Sequence, residues 1–488
     1  MTNERILVGG AILLLAVVAA VATQRLRLPL LITFLGLGML LGSEGVGGIY
    51  FDDAELARWI GTAGLVIILF EGGLTTKWGD VRPILGPAIV LSTVGVAVTS
   101  AVVAAGAWLL FDLSPSKAFL LGAVVGPTDA AAVFATLRRT NLRRRLGSLL
   151  TFESGANDPM AVALTLGLIA WVEHAGYGVG DLTVLLVREL GLGVLIGIAL
   201  GLVVYQVPKL PSELAPFAPV ASLGIAAVSY GIPASLHASG FVAVYVVGLF
   251  LGNTNSALRQ TVVHFHEGLA YLAQVVLFIV LGLLVFPSQL GPVAASAIGL
   301  TAILIVVARP LAVALSTIPF GYSLREQAFL SWAGLRGAVP IVLSTFALSA
   351  GVAGSNTIFN AVFFVVLVST LLQTATLDLA AKRLGVASEP RAYHRPPMEL
   401  GAVQALGGDI LEYDVAPSDA VVGARVRDLQ LPESALVMLI VRDGQGIPPR
   451  GDTPIENGDR VYVLARTDDR KRVEALIGRW GSGPVAAT

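Results

Sequence analysis

The chain of 488 residues is 55% hydrophobic and only 13% charged, against roughly 25% charged residues in an ordinary soluble domain, and its mean hydropathy is +0.80. A formal net charge of -1 supplies neither a basic field for nucleic acid nor an acidic tail. With no cysteine in the chain, disulfides, thiolate metal sites and cysteine nucleophiles are excluded.

The first apolar run, ILVGGAILLLAVVAAVATQ, carries an Ala20-Val21-Ala22 triplet that resembles a signal-peptidase site. Its flanks run the other way: Glu4 and Arg5 cancel, whereas Arg25 and Arg27 follow the run. It reads as a retained first helix with its N-terminus outside. A membrane span needs about 20 mostly apolar residues. Thirteen segments meet that need, roughly 5–23, 27–43, 57–74, 86–110, 117–137, 148–171, 182–207, 215–231, 235–252, 262–286, 292–318, 326–350 and 356–381. Alternate loops, taken from the first, hold Arg25, Arg27, Lys77, Arg82, Arg138, Arg139, Arg143, Arg144, Arg145, Lys209, Arg259, Arg325, Lys382 and Arg383. The opposite loops hold only Arg58 and Lys117, among acids such as Glu44, Asp52 and Asp53. The positive-inside rule makes the first set cytoplasmic, and an odd number of spans then leaves the C-terminus inside.

The membrane part is expected over residues 1–386. GVASEPRAYHRPP then reads as a Pro-containing linker at 387–399, and residues 400–480 as a small α/β domain in the cytosol. DILEYDV alternates like a strand and SDAVVGARVRDLQ fits a capped short helix. ALVMLIVRDGQGIPPRG is a strand turning at Asp443-Gly444, DRVYVLA is a further strand, and DDRKRVEALIG is a final helix with Asp468 near its cap. No Gly-rich nucleotide turn of the Rossmann kind is present, so a regulatory or dimerising module is expected.

Two spans contain helix breakers. In AVVGPTDAAAVFATL, Pro127 cannot donate to the carbonyl of Ala123; in SWAGLRGAVPIVLST, Pro340 releases that of Arg336. Irregular backbone at that depth survives only where it lines a cavity or is buried in protein. If spans 1–6 and 8–13 are two halves of opposite orientation, each broken helix is the fifth of its half. That is the pattern of an inverted-repeat transporter with its site at the bilayer midplane. The fold class is thus an all-α polytopic membrane protein of thirteen helices, with two inverted six-helix repeats and two broken helices.

The sixth span opens with TFESGANDPM. A charge at membrane depth costs roughly 2.5–3.5 kcal/mol and needs a partner or a purpose. On a helix Ser154 and Asp158 share a face, while Glu153 and Asn157 form a second four-apart pair about 100° round. Pro159 deprives the carbonyl of Gly155 of its usual donor. One face can therefore hold a small hard cation between a carboxylate and a hydroxyl. The other carries Glu153, for which Arg336 is the expected counter-charge.

GPTDAAAV, TFESGANDPMAV, LFEGGL and SWAGLRGAVP resemble the signature stretches of the monovalent cation/proton antiporters, in their NhaP-like electroneutral branch, whose fold is the NhaA-like one. The stretch LQLPESALVMLIVRDGQGIPPRGDTPIENGDRVYVLA resembles the TrkA-C (RCK-C) domain. Together they are similar to the potassium/proton members of that family. The resemblance implies that Asp158 alternates between a proton and K+ or Na+, with Ser154 and Thr128 as further ligands. Thr128 and Asp129 would line the unwound crossing, Asn157 would stand where electrogenic relatives keep a second carboxylate, and Glu153 would be tied to Arg336. It further implies a homodimer in a bacterial inner membrane, an elevator-like movement of a six-helix core, and a tail sensing a small ligand, a nucleotide such as cyclic di-AMP.

Other polar residues carry blander readings. Glu71 lies near the inner end of span three, where it either contributes to the site or snorkels. His264 and His266, at the cytoplasmic end of span ten, titrate near neutrality and are candidates for a pH sensor. Ala270 stands where a zinc-protease helix would need its second histidine. Gly193, Gly197 and Gly201 suit close helix packing, and RRTNLRRR reads as a topology anchor or lipid headgroup contact. No nucleophile elbow or nucleotide loop points to an enzyme. A channel gated by the same kind of tail is the alternative to an antiporter, although the chain lacks a TVGYG-like carbonyl filter.

Overall fold

The computed structural model describes residues 2–26, 29–129, 133, 137, 142–174, 176–206, 216–254, 258–387, 408–442 and 445–481. The chain divides into two compact units, Met1–Ala387 and Ser388–Thr488. The linker beyond Ala387, the Asp443-Gly444 turn, Arg138, Arg139 and Lys209 lie outside the described residues.

The first unit is helical. In chain order it contains α1 (Thr2–Leu26), α2 (Leu30–Leu41) and α3 (Ala54–Thr75), then the long composite helix α4 (Trp78–Leu110). α5 (Pro115–Val125), α6 (Arg144–Glu173), α7 (Val179–Val204), α8 (Ala218–Ser235), α9 (Gly240–Gly252) and α10 (Leu258–Leu283) follow. After the composite α11 (Gly291–Phe320) come α12 (Leu324–Trp332), α13 (Ala338–Ser349) and α14 (Ser355–Arg383). Among the described residues nine helices are long and apolar enough to cross a membrane; α2, α5, α9 and α13 are shorter apolar helices.

The breaks are local consequences of the sequence. α5 stops at Val125, the Gly126 amide closes its last turn on the Ala123 carbonyl at 3.2 Å, and Pro127 cannot extend the ladder. The second break lies at residues 333–337, between α12 and α13. Pro340 is therefore not its centre, as the sequence suggested, but sits in the first turn of α13, where a missing amide proton costs nothing. Pro159 is carried inside the continuous α6. α4 and α11 each include one π turn, Leu91–Gly95 and Leu304–Ala308.

The second unit is a four-stranded antiparallel sheet of order β1-β4-β2-β3, with β1 Gly408–Asp414, β2 Ala435–Arg442, β3 Gln445–Ile447 and β4 Arg460–Arg466. α15 (Arg470–Gly478) supplies Val473 and Ile477 to a core shared with Tyr413, Val461, Val463 and Trp480. The expected helix over SDAVVGARVRDLQ does not form. The stretch is turns and a single 3-10 turn, Val426–Leu429, bounded by Gly423 at φ +87 and Gln430 at φ +51. Its amides bond outward instead, Val426 to the Thr453 carbonyl and Arg427 to that of Gly451, both at 3.0 Å. The cap of α15 is Asp469, next to Asp468, and it accepts no side-chain bond.

Candidate cation site

α6 presents Asp158 and Ser154 to a cavity of about 260 Å³. Thr128 and Asp129 reach the same cavity from the unwound stretch after α5, Gly337 from the start of α13, and Glu71 from α3. Five of the polar residues singled out by sequence thus meet in one space. Asp158 is 5% exposed and its Oδ1 has no hydrogen-bond partner. A buried carboxylate oxygen in that condition is costly unless something neutralises it.

The two unwound stretches hold each other. The Asp129 amide donates to the Leu335 carbonyl at 2.8 Å. Arg336 Nη1 donates to the carbonyls of Gly126 and Pro127 at 2.6 and 2.7 Å, while the Arg336 carbonyl accepts from Thr370 Oγ1 of α14 at 2.9 Å. Backbone groups freed by the breaks are thereby satisfied inside protein, as lipid depth requires. The approach is close: a Cβ on Gly337 would lie 2.0 Å from Asp129 Oδ2.

Asn157 does not line the cavity. Its Nδ2 donates to Thr128 Oγ1 at 2.7 Å, and that hydroxyl donates to Glu153 Oε1 at 3.4 Å. The amide therefore fixes the hydroxyl of the unwound stretch against α6, and Thr128 retains one lone pair for a ligand.

Glu153 is paired, but not with Arg336. Arg309 of α11 meets it with both terminal nitrogens, Nη1 to Oε1 at 2.5 Å and Nη2 to Oε2 at 2.9 Å, and the two side chains are 4% and 2% exposed. Arg336 feels the charge of Glu153 but makes no bond to it; its Nη1 goes to the carbonyls of Gly126 and Pro127, whereas the guanidinium of Arg309 meets the carboxylate directly. Arg309 follows the π turn Leu304–Ala308 directly, and such an extra residue per turn re-aims the next side chain, a common feature of functional sites. Sequence reasoning missed this residue. The available signal was that Arg309 is the one charge within residues 292–318, and an intramembrane charge needs a partner.

The two histidines part company. His264 is exposed, with Nδ1 3.1 Å from Glu267 Oε2. His266, expected at a solvated membrane edge, is instead fully buried, with Nε2 3.0 Å from Ser222 Oγ and its ring centroid 4.8 Å from that of Phe70. Around the basic cluster, Arg144 pairs with Asp80, Arg143 Nη2 donates to the Gly385 carbonyl at 2.9 Å, and Arg145 stacks over the Tyr322 ring at 3.8 Å.

Residues 11–383 match the sodium/hydrogen exchanger transmembrane family, and residues 410–478 match the TrkA-C domain. A K(+)/H(+) antiporter NhaP2 of a Shewanella species is 36% identical over 488 residues, covering 99% of this chain and 84% of the relative. A K(+)/H(+) antiporter NhaP of Alkalimonas amylolytica is 38% identical, covering 97% and 83%. The fold is shared with the sodium proton antiporter MjNhaP1 of Methanocaldococcus jannaschii, at a TM-score of 0.68, 22% identity, and coverage of 77% of this chain and all of that one. The relatives are named as transporters rather than enzymes. The chain belongs to the sodium/hydrogen exchanger family and carries a TrkA-C domain in its second unit.

Proposed function

We propose that this protein exchanges one monovalent cation, K+ or Na+, for one proton at Asp158 by alternating access, without net charge movement. The observation that carries the reading is the buried Asp158 carboxylate, one oxygen unpartnered, facing a cavity with Ser154, Thr128, Asp129 and Glu71. An empty carboxylate is too costly to carry across the barrier, so it crosses only when a proton or a cation neutralises it. Asn157, an amide bonded to Thr128, adds no second titrating group beside it. The names of the relatives at 36% and 38% identity support K+ ahead of Na+, and antiport ahead of a gated channel.

In this reading the nine long and four shorter apolar helices make thirteen spans, with the N-terminus outside a bacterial inner membrane and the C-terminus in the cytoplasm. Two inverted six-helix repeats are supported by paired irregularities: π turns in α4 and α11, the fourth spans of each half, and breaks in the fifth. The protein works as a homodimer, and the TrkA-C domain adjusts the cycle on binding a small nucleotide ligand. Glu153 with Arg309, and Arg336 with its two carbonyls, hold the crossing in shape.

Asp158→Asn is expected to abolish cation-dependent proton flux in proteoliposomes while the protein elutes and melts as the wild type does. Exchange that persists in that variant removes the proposal. A current that follows the cation gradient removes its electroneutral part, and K+, Na+, Rb+ and Li+ compared side by side assign selectivity.

A further inference from the structure

The buried apolar side chains of the membrane unit fall into two large clusters. One draws on α3, α9 and α10 together with much of α5, α13 and α14. The other gathers the first parts of α4 and α6, Val313 of α11, α12 and the end of α14, while the later parts of α4 and α6 and the earlier part of α11 belong to the first cluster. Among the described residues, Tyr245 is the only member of the second cluster that comes from α1–α3 or α7–α10. Its neighbours on α9, namely Phe241, Val244, Val247 and Leu251, all belong to the first.

The Tyr245 ring is 5% exposed and is seated on α6. Phe152 meets it edge-on, 6.1 Å between centroids at 78°, and a Cβ on Gly155 would lie 2.3 Å from its Cε2. Glycine at 155 is therefore what opens the notch, directly after Ser154 and one helical turn before Asp158. Behind the ring, its hydroxyl oxygen stands 3.3 Å from Thr76 Oγ1 at the end of α3. Neither Tyr245 nor Thr76 is among the residues lining the cavity.

We infer that Tyr245 is a positioning residue for the transport step, a latch by which α9 holds α6 in the arrangement described here. A ring set against helix backbone in a close-packed interior cannot be passed without leaving its notch. Any shift of α6 that carries Asp158 relative to α9 must therefore unseat it. A contact made in one arrangement and absent in another biases the equilibrium by its own free energy. The inference rests on the alternating-access reading of the site; its test does not depend on which cation is carried.

The chain has no cysteine, so a single thiol can be placed at Thr151, which lines the cavity. In Thr151→Cys protein reconstituted into liposomes, the ratio of labelling by an impermeant maleimide from the two membrane faces reports the population of the present arrangement. Adding Tyr245→Ala is expected to change that ratio about threefold or more, and Thr76→Val, which keeps the ring but removes its hydroxyl partner, to move it less in the same direction. The maximal exchange rate should change while the cation KM stays within about twofold, because the latch touches no cation. Ratios unchanged in both variants overturn the inference, as does a lowered melting temperature with an unchanged ratio, which assigns Tyr245 to packing alone. Should Tyr245→Ala fail to fold, Thr76→Val and Gly155→Ala, which crowds the ring out of its notch, decide by the same ratio. A shifted ratio in protein that exchanges no cation sinks the antiport reading and leaves the latch standing.

Discussion

Glu153 and Arg309 are a buried, two-pronged ion pair whose members have few other partners: Thr128 bonds the acid at 3.4 Å and the Leu330 carbonyl accepts from the guanidinium at 3.3 Å. Removing one partner of such a pair strands a charge, at a cost of roughly 3–5 kcal/mol, whereas replacing both by apolar groups of similar size is often near neutral. Arg309→Met should therefore lower the thermal unfolding midpoint severely, and Arg309→Met with Glu153→Met should recover much of the loss in a double-mutant cycle. Equal losses in the single and double variants would mean that the acid finds another counter-charge. Arg336 differs in kind, because its bonds go to two backbone carbonyls rather than to an acid. Arg336→Met should loosen the unwound stretch itself, read as weakened cation affinity through Thr128 and Asp129.

At the scale of elements, the crossing of the stretch after α5 with the one before α13 depends on how close two backbones can come. Gly337→Ala would drive a methyl group into Asp129. Overpacking of that sort costs about 1–3 kcal/mol, and here it displaces a cavity-lining carboxylate, so exchange should fall more steeply than stability. A second link between elements joins two loops, where Glu44 between α2 and α3 accepts from Ser288 between α10 and α11, the amide at 2.7 Å and Oγ at 2.5 Å. The side-chain bond from Ser288, aided by the backbone one, holds the Glu44 carboxyl below its usual value of 4.5. A lowered value means that the contribution is present above the usual carboxylate range and is lost as the pH falls through the lower folded value. Glu44→Gln is thus expected to lower the melting temperature at neutral pH, with a deficit that shrinks in acid. A deficit independent of pH would remove the charge from the account.

At the scale of the whole molecule, each of the two compact units has its own core. In the second unit Trp480 is 2% exposed and packs edge-on against Tyr413, centroids 5.3 Å apart at 82°. Trp480→Ala should cost about 3–5 kcal/mol and appear in calorimetry as a lowered transition for the second unit, with that of the first unit unmoved. A single transition shifted as a whole would mean that the units unfold together.

Several features of this protein were settled by local sequence. Lipid as solvent follows from runs of apolar residues, the interruption at Pro127 from its missing amide donor beside Gly126, and the shared face of Ser154 and Asp158 from helical period alone; the second interruption was legible only as a neighbourhood, since Pro340 lies in the first turn of α13 and not in the break. Those rules act within a few residues, so they are legible without a fold. Other features were decided only in three dimensions. Glu153 had a chemically adequate partner in Arg336, yet the residue that bonds it is Arg309, 156 positions away, which follows a π turn, while Arg336 Nη1 bonds backbone carbonyls. Tyr245 reads as one more aromatic residue in an apolar run, and only the packing of α9 against Gly155 sets its ring beside the site helix. Which groups meet across such separations depends on how helices rotate and pack, and helical period carries no record of that.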